Sequence, residues 1–113
     1  MHELALSHSI VDIAAECGRR EGLRRITRVV VEIGEAAAVD PGGLAFCFEV
    51  VAADTLAQGA ELSIEKIALR AACRACAAEF EPPHVASPCP SCGAYGASLL
   101  RGRELRVKSL DGE

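Results

Sequence analysis

Residues Arg25 to Leu69 read RITRVVVEIG EAAAVDPGGL AFCFEVVAAD TLAQGAELSI EKIAL, and this stretch decides the fold. From Arg25 to Ile33 the side chains alternate. Val29, Val31 and Ile33 share one face and Arg28, Val30 and Glu32 the other, the period of a strand, and Gly34 ends it. Asp40-Pro41 is an N-cap followed by proline at the first helical position. Leu44, Cys47, Phe48 and Val51 then form the buried stripe of a helix that Gly59 closes. A second strand follows over Leu62 to Leu69; its apolar phase slips by one near Lys66, which a bulge would explain. Strand, helix and strand in that order make a right-handed crossover.

Upstream, Leu6, Ile10, Ile13, Ala14 and Cys17 recur at steps of three and four, with Asp12, Glu16, Arg19 and Arg20 largely off that stripe. This is a helix beginning almost at Met1, with Glu3 in its first turn, where the helix dipole favours a carboxylate. Gly18 weakens its end and Gly22 is the C′ candidate. Downstream, Leu105 and Val107 mark a third strand. The expected fold class is mixed α/β: a small three-stranded sheet covered by two helices on one face, with a cysteine module inserted before the last strand. The expected division is 1–69 plus 99–113 for the α/β part and 70–98 for the module.

The module holds Cys73-Arg74-Ala75-Cys76 and Cys89-Pro90-Ser91-Cys92-Gly93, with twelve residues between the pairs. Each C-x-x-C turn presents two thiolates along one tetrahedral edge, and two such turns face to face complete a four-cysteine zinc site. Four thiolates leave no open position, so the zinc is structural. Pro82, Pro83 and Pro88 stiffen a loop with little else to fold around, and metal affinity supplies its folding energy. A redox dithiol usually stands alone, and a rubredoxin-like iron site is disfavoured by the scarcity of aromatics here. Cys17 and Cys47 read as small buried hydrophobes, His84 as a solvated loop histidine and His8 as a surface residue.

Composition narrows the function further. The chain has 113 residues, half of them apolar, with no Trp, one Tyr and three Phe, so its core is aliphatic and alanine-rich. A net charge of -4 and few aromatics argue against nucleic acid. No apolar run is long enough to span a membrane, and no export signal is visible; with six cysteines this predicts a cytoplasmic metal protein. There is no Ser/His/Asp arrangement and no open three-ligand metal site, so no enzyme activity is expected.

The chain begins Met1-His2-Glu3. The α-amine of Met1, the amide nitrogen of His2 and its imidazole Nδ1 can chelate one ion through five- and six-membered rings. A nitrogen-rich tetragonal set suits Ni(II) or Cu(II), with a fourth ligand from Glu3 or elsewhere. A flexible, idle N-terminal histidine is the bland alternative.

Met-His-Glu at the start, a helix of about twenty residues, a Val-rich strand ending Glu32-Ile33-Gly34 and the Cys73/Cys76/Cys89/Cys92 quartet together resemble the HypA/HybF family of nickel metallochaperones for [NiFe]-hydrogenase maturation. The resemblance implies nickel at Met1, His2 and Glu3, with His2 essential, and zinc at the four cysteines. It implies a role at the nickel site for Asp40, which the residues alone explain equally well as an N-cap. It also implies, as partners, a HypB-type GTPase, the hydrogenase large subunit precursor and, in some members, urease maturation proteins. The chain has no G-x-x-x-x-G-K-[ST] loop and would rely on another protein for nucleotide hydrolysis. Some relatives carry a histidine beside a zinc cysteine; the nearest here, His84, lies five residues before Cys89. The competing reading is a zinc-ribbon adaptor without nickel chemistry.

Overall fold

The computed structural model describes residues 2–113, so Met1 lies outside the described residues. Helix α1 spans Glu3–Arg20, strand β1 Ile26–Gly34, helix α2 Pro41–Ala52 and strand β2 Glu61–Ile67. Strands β3 (Arg70–Ala72), β4 (Glu79–Phe80) and β5 (Ser98–Arg101) follow, and β6 spans Leu105–Gly112. The main sheet has the order β2-β1-β6, with β1 parallel to β2 and antiparallel to β6. Both helices cover the face that carries Val29, Val31 and Ile33, and Ile10, Val11, Ala14, Leu44, Phe48 and Ala52 complete the core. Ser63 and Lys108 on the far side bond Arg28 and Glu65, and Arg106 pairs with Glu32. The Lys108–Glu65 pair is largely exposed and contributes little, whereas Glu32 in the other ion pair is mostly buried. With no Trp, the core rests on Phe48 and aliphatic side chains such as Ile26, Leu44, Val29 and Val31. Each contributes about 1.5–3 kcal/mol through burial.

The second sheet, β4-β3-β5, is antiparallel and carries the cysteine turns, so the module is inserted between β2 and β6. Strand β5 reaches Arg101, and the return crossing falls at Gly102. The molecule is drawn out to 54 × 25 × 16 Å, with a radius of gyration of 17.3 Å. A compact domain of this length would have about 13 Å.

Four local expectations need correction. The β1–β2 register runs unbroken from Arg28/Glu61 to Gly34/Ile67, so there is no bulge at Lys66. The strand stops at Ile67, and Leu69, which carried the slipped phase, is buried in the linker against Gly102. The register shifts fall instead between β1 and β6. Helix α2 ends at Ala52, where Ala53 turns extended, well before Gly59. On α1 the buried stripe is Ser7, Ile10, Val11, Ala14, Ala15 and Gly18, which leaves Ile13 exposed and Cys17 half-buried. Gly18 sits in that stripe because a Cβ there would press on Ile26. Cys47 is half-buried too. Gly22 does take the left-handed C′ position, with Leu23 N–H donating to the Gly18 carbonyl.

Candidate metal centres

Cys73 leaves the end of β3, and the Ala77 amide donates back to its carbonyl at 3.0 Å while its own amide donates to Ala78 at 2.8 Å. The second turn repeats this with Gly93 to Cys89 at 2.8 Å and Cys89 to Ala94 at 2.9 Å. Each turn needs a left-handed residue one place after its second cysteine. Gly93 (φ 78°) supplies it freely, whereas Ala77 (φ 64°) adopts it at a cost of about 1–2 kcal/mol. Ala77 was not evident from sequence because nothing about an alanine signals this conformation.

The turns face one another. Cys73 Sγ lies 3.6 Å from Cys92 Sγ, and Cys76 Sγ 3.7 Å from Cys89 Sγ. All four sulfurs lie within 4.8 Å of one another. A tetrahedral zinc–thiolate centre has sulfur–sulfur edges of about 3.8 Å, so the quartet fits one zinc ion. The amides of Cys76 and Ala75 point at Cys73 Sγ and hold its thiol down at about 6. Amides of Cys92 and Ser91 lower Cys89 in the same way. Cys92 receives the Ala94 amide, yet its contact with the Cys73 sulfur and burial push it up to about 11. Cys76 is likewise raised: the Ala78 amide favours its thiolate, but the sulfurs of Cys73 and Cys89 outweigh it. Each turn thus pairs a buried, readily ionised sulfur with an exposed one that keeps its proton until a metal arrives. His84 is exposed, its Nδ1 2.8 Å from Ser87 Oγ, and lies outside the quartet.

The N-terminal candidates gather at the other end. His2 is the exposed N-cap of α1, and its carbonyl accepts the first helical bond, from Leu6 N–H at 3.0 Å. Ser7 Oγ donates to the Leu44 carbonyl at 3.4 Å, so α1 and α2 run side by side in the same direction and their first turns meet. There the Glu3 carboxylate accepts the Asp40 N–H at 3.4 Å, and Asp40 Oδ2 accepts the Gly43 N–H at 3.2 Å. Asp40 is therefore an N-cap and a neighbour of Glu3 at once. Among the described residues, His2, Glu3 and Asp40 do not converge on one point as the cysteines do.

A family model described as hydrogenase/urease nickel incorporation, metallochaperone, HypA matches residues 1–112. The chain belongs to the HypA family. It is 43% identical to the hydrogenase maturation factor HypA of Geotalea uraniireducens over 113 residues, all of both chains. It is 42% identical to the hydrogenase maturation factor HybF of Klebsiella pneumoniae over the same length. A solution structure of the nickel metallochaperone HypA from Helicobacter pylori superposes with a TM-score of 0.72 at 28% identity, covering 99% of this chain and 97% of that one. This HypA-family chain is thus a member of a hydrogenase-maturation nickel metallochaperone family with a four-cysteine metal site. Among its described residues no helix is long and apolar enough to cross a membrane.

Proposed function

We propose that the chain binds one Ni(II) at Met1, His2 and Glu3 and hands it on for assembly of [NiFe]-hydrogenase, with a structural Zn(II) at Cys73, Cys76, Cys89 and Cys92. The observation that carries this reading is the whole-length match to a nickel-incorporation family. The start of α1 supports the ligand set. The first bond of the helix comes from Leu6 N–H, so the amides of His2 and Glu3 precede the first helical donor. Replacing their protons by a metal breaks no helical bond, and the positive end of the helix dipole favours the resulting negative nitrogens. The exposed His2 imidazole can then fold back onto the same ion. The Glu3 carboxylate also ties this end to α2 by accepting the Asp40 N–H.

In this reading residues 1–69 with the C-terminal strand handle nickel, and the zinc module, expected over 70–98, runs on to Arg101 where β5 ends. The chain carries cargo and catalyses nothing. A HypB-type GTPase supplies nucleotide hydrolysis, the hydrogenase large subunit precursor receives the metal, and urease maturation proteins are a second outlet. The compartment is the cytoplasm, where thiolates stay reduced.

Nickel titration of the zinc-loaded protein tests the site. One Ni(II) beyond the zinc is expected, with His2→Ala losing it while zinc content and circular dichroism stay unchanged. Normal nickel binding by His2→Ala would refute the assignment of this site.

A further inference from the structure

Helix α2 is apolar nearly all round, and Glu49 is the one charged side chain within it. A helix of that kind is ordinarily covered on every side. Leu44, Phe48 and Ala52 face the core. On the opposite side Phe46 is 68% and Val50 58% exposed, and exposed Gly42, Ala45, Glu49 and Ala53 lie at helical spacing around them. The stripe begins beside Asp40, where Glu3 and the start of α1 meet it. The charge on the stripe itself is acidic. No Lys or Arg occurs from residue 29 to 65 or before Arg19, while Glu35, Asp40, Glu49 and Asp54 are all exposed. Two of these acids have cations beside them in space, since Arg19 lines one cleft with Asp54 and Lys66 another with Glu35, so Asp40 and Glu49 carry the negative charge of the stripe.

We propose that the outer face of α2, centred on Phe46, Glu49 and Val50, is the docking surface for a protein partner that presents an apolar segment flanked by lysines or arginines. Charge complementarity selects that occupant. A second copy laid face to face would oppose Glu49 and Asp40 to the same acids with no cation from this stretch between them, and an anionic lipid surface would be repelled. The partner's place beside Asp40 would bring it to the N-terminal end. This last point rests on the nickel reading; the docking surface does not.

The test uses full-length zinc-loaded protein without nickel. The HypB-type GTPase and the hydrogenase large subunit precursor are each titrated against wild type, Phe46→Ser, Val50→Ser and Glu49→Lys, and self-association is followed by sedimentation. At least one partner is expected to lose about tenfold or more in affinity with Phe46→Ser and with Glu49→Lys, and its binding to wild type is expected to weaken as salt rises. Phe46→Ser and Val50→Ser are expected to keep native circular dichroism and zinc content, since both side chains are exposed. The proposal is overturned if neither partner binds, if both bind the variants as wild type, or if the substitutions instead dissociate a homodimer. Nickel titration of the same variants separates the two readings: loss of docking with normal nickel binding belongs to this face alone.

Discussion

Gly34 has no room for a side chain. A Cβ there would lie 2.0 Å from the backbone of Gly102, where the return crossing from the module presses against the end of β1. Gly34→Ala should therefore destabilise the protein by about 1–3 kcal/mol in urea denaturation, because backbone must shift. Gly42, in the first turn of α2, is the counter-case: its Cβ would meet only Asp40 Oδ1, at 3.9 Å. Gly42→Ala should stabilise by about 0.5–1 kcal/mol, and equal effects at both sites would contradict the close-approach argument. The proposed nickel site is also a matter of single residues. An α-amine has an ordinary value of roughly 7.7–8.0, and the amine of Met1 must be unprotonated to bind. Affinity should fall as pH drops from about 8 to about 6. A Gly-Ser extension converts the Met1 amine into an amide and should weaken nickel or change its absorption spectrum. An unchanged spectrum and affinity would remove the amine from the ligand set.

The cysteine turns behave as one element because each needs the other's sulfurs. Replacing any of the four cysteines by alanine, or stripping the zinc, should abolish hydrogen-exchange protection across β3, β4 and β5. The amides of β1, β2 and β6 should stay protected, since the main core contains none of these residues. Cys76 and Cys92 hold their protons in the metal-free turns, so zinc uptake at pH 7 should release them and zinc affinity should rise with pH. Calorimetry in buffers of different ionisation enthalpy would show this, and a buffer-independent heat would count against it. The quartet was fully legible in the sequence because its spacing is itself the chemistry. The three strands of the main sheet and the Asp40 cap were legible for the same local reason, whereas the short strands β3, β4 and β5 were not. Ile13 and Leu69 misled because periodicity marks apolar residues without saying which neighbour covers them; α1 turned its small residues inward and Leu69 was claimed by the linker. The meeting of Glu3 with Asp40 spans 37 residues and follows from the crossover, which no local pattern reports.

At the scale of the molecule, the two sheets are joined by a narrow clasp. Glu104 closes it: its carboxylate accepts the Gly102 N–H at 2.7 Å and its carbonyl accepts that of Gly34 at 2.7 Å, while Ala36 N–H reaches the Gly102 carbonyl at 2.8 Å. The amides of Glu104 itself and of Gly102 hold this carboxyl below its ordinary value. A lowered value in the folded state stabilises above about 4.3, the unfolded value, and that contribution disappears as pH falls through the folded one. Glu104→Gln should therefore show a shallower loss of stability than wild type between pH 6 and pH 3; equal slopes would mean the clasp does not depend on this charge. The same insertion of the module between β2 and β6 bears on how the chain finds its fold. Strand β6 pairs with a strand some eighty residues earlier, as Thr27 with Asp111 records, so the main sheet is finished by its most distant contact. Loop closure costs about 0.6 kcal/mol for each doubling of length. A zinc ion that first gathers the four cysteines would shorten the loop left to close, and refolding in the presence of zinc should be a few times faster than without it, so a metal held at one end of the molecule would also set the pace at which the other is completed.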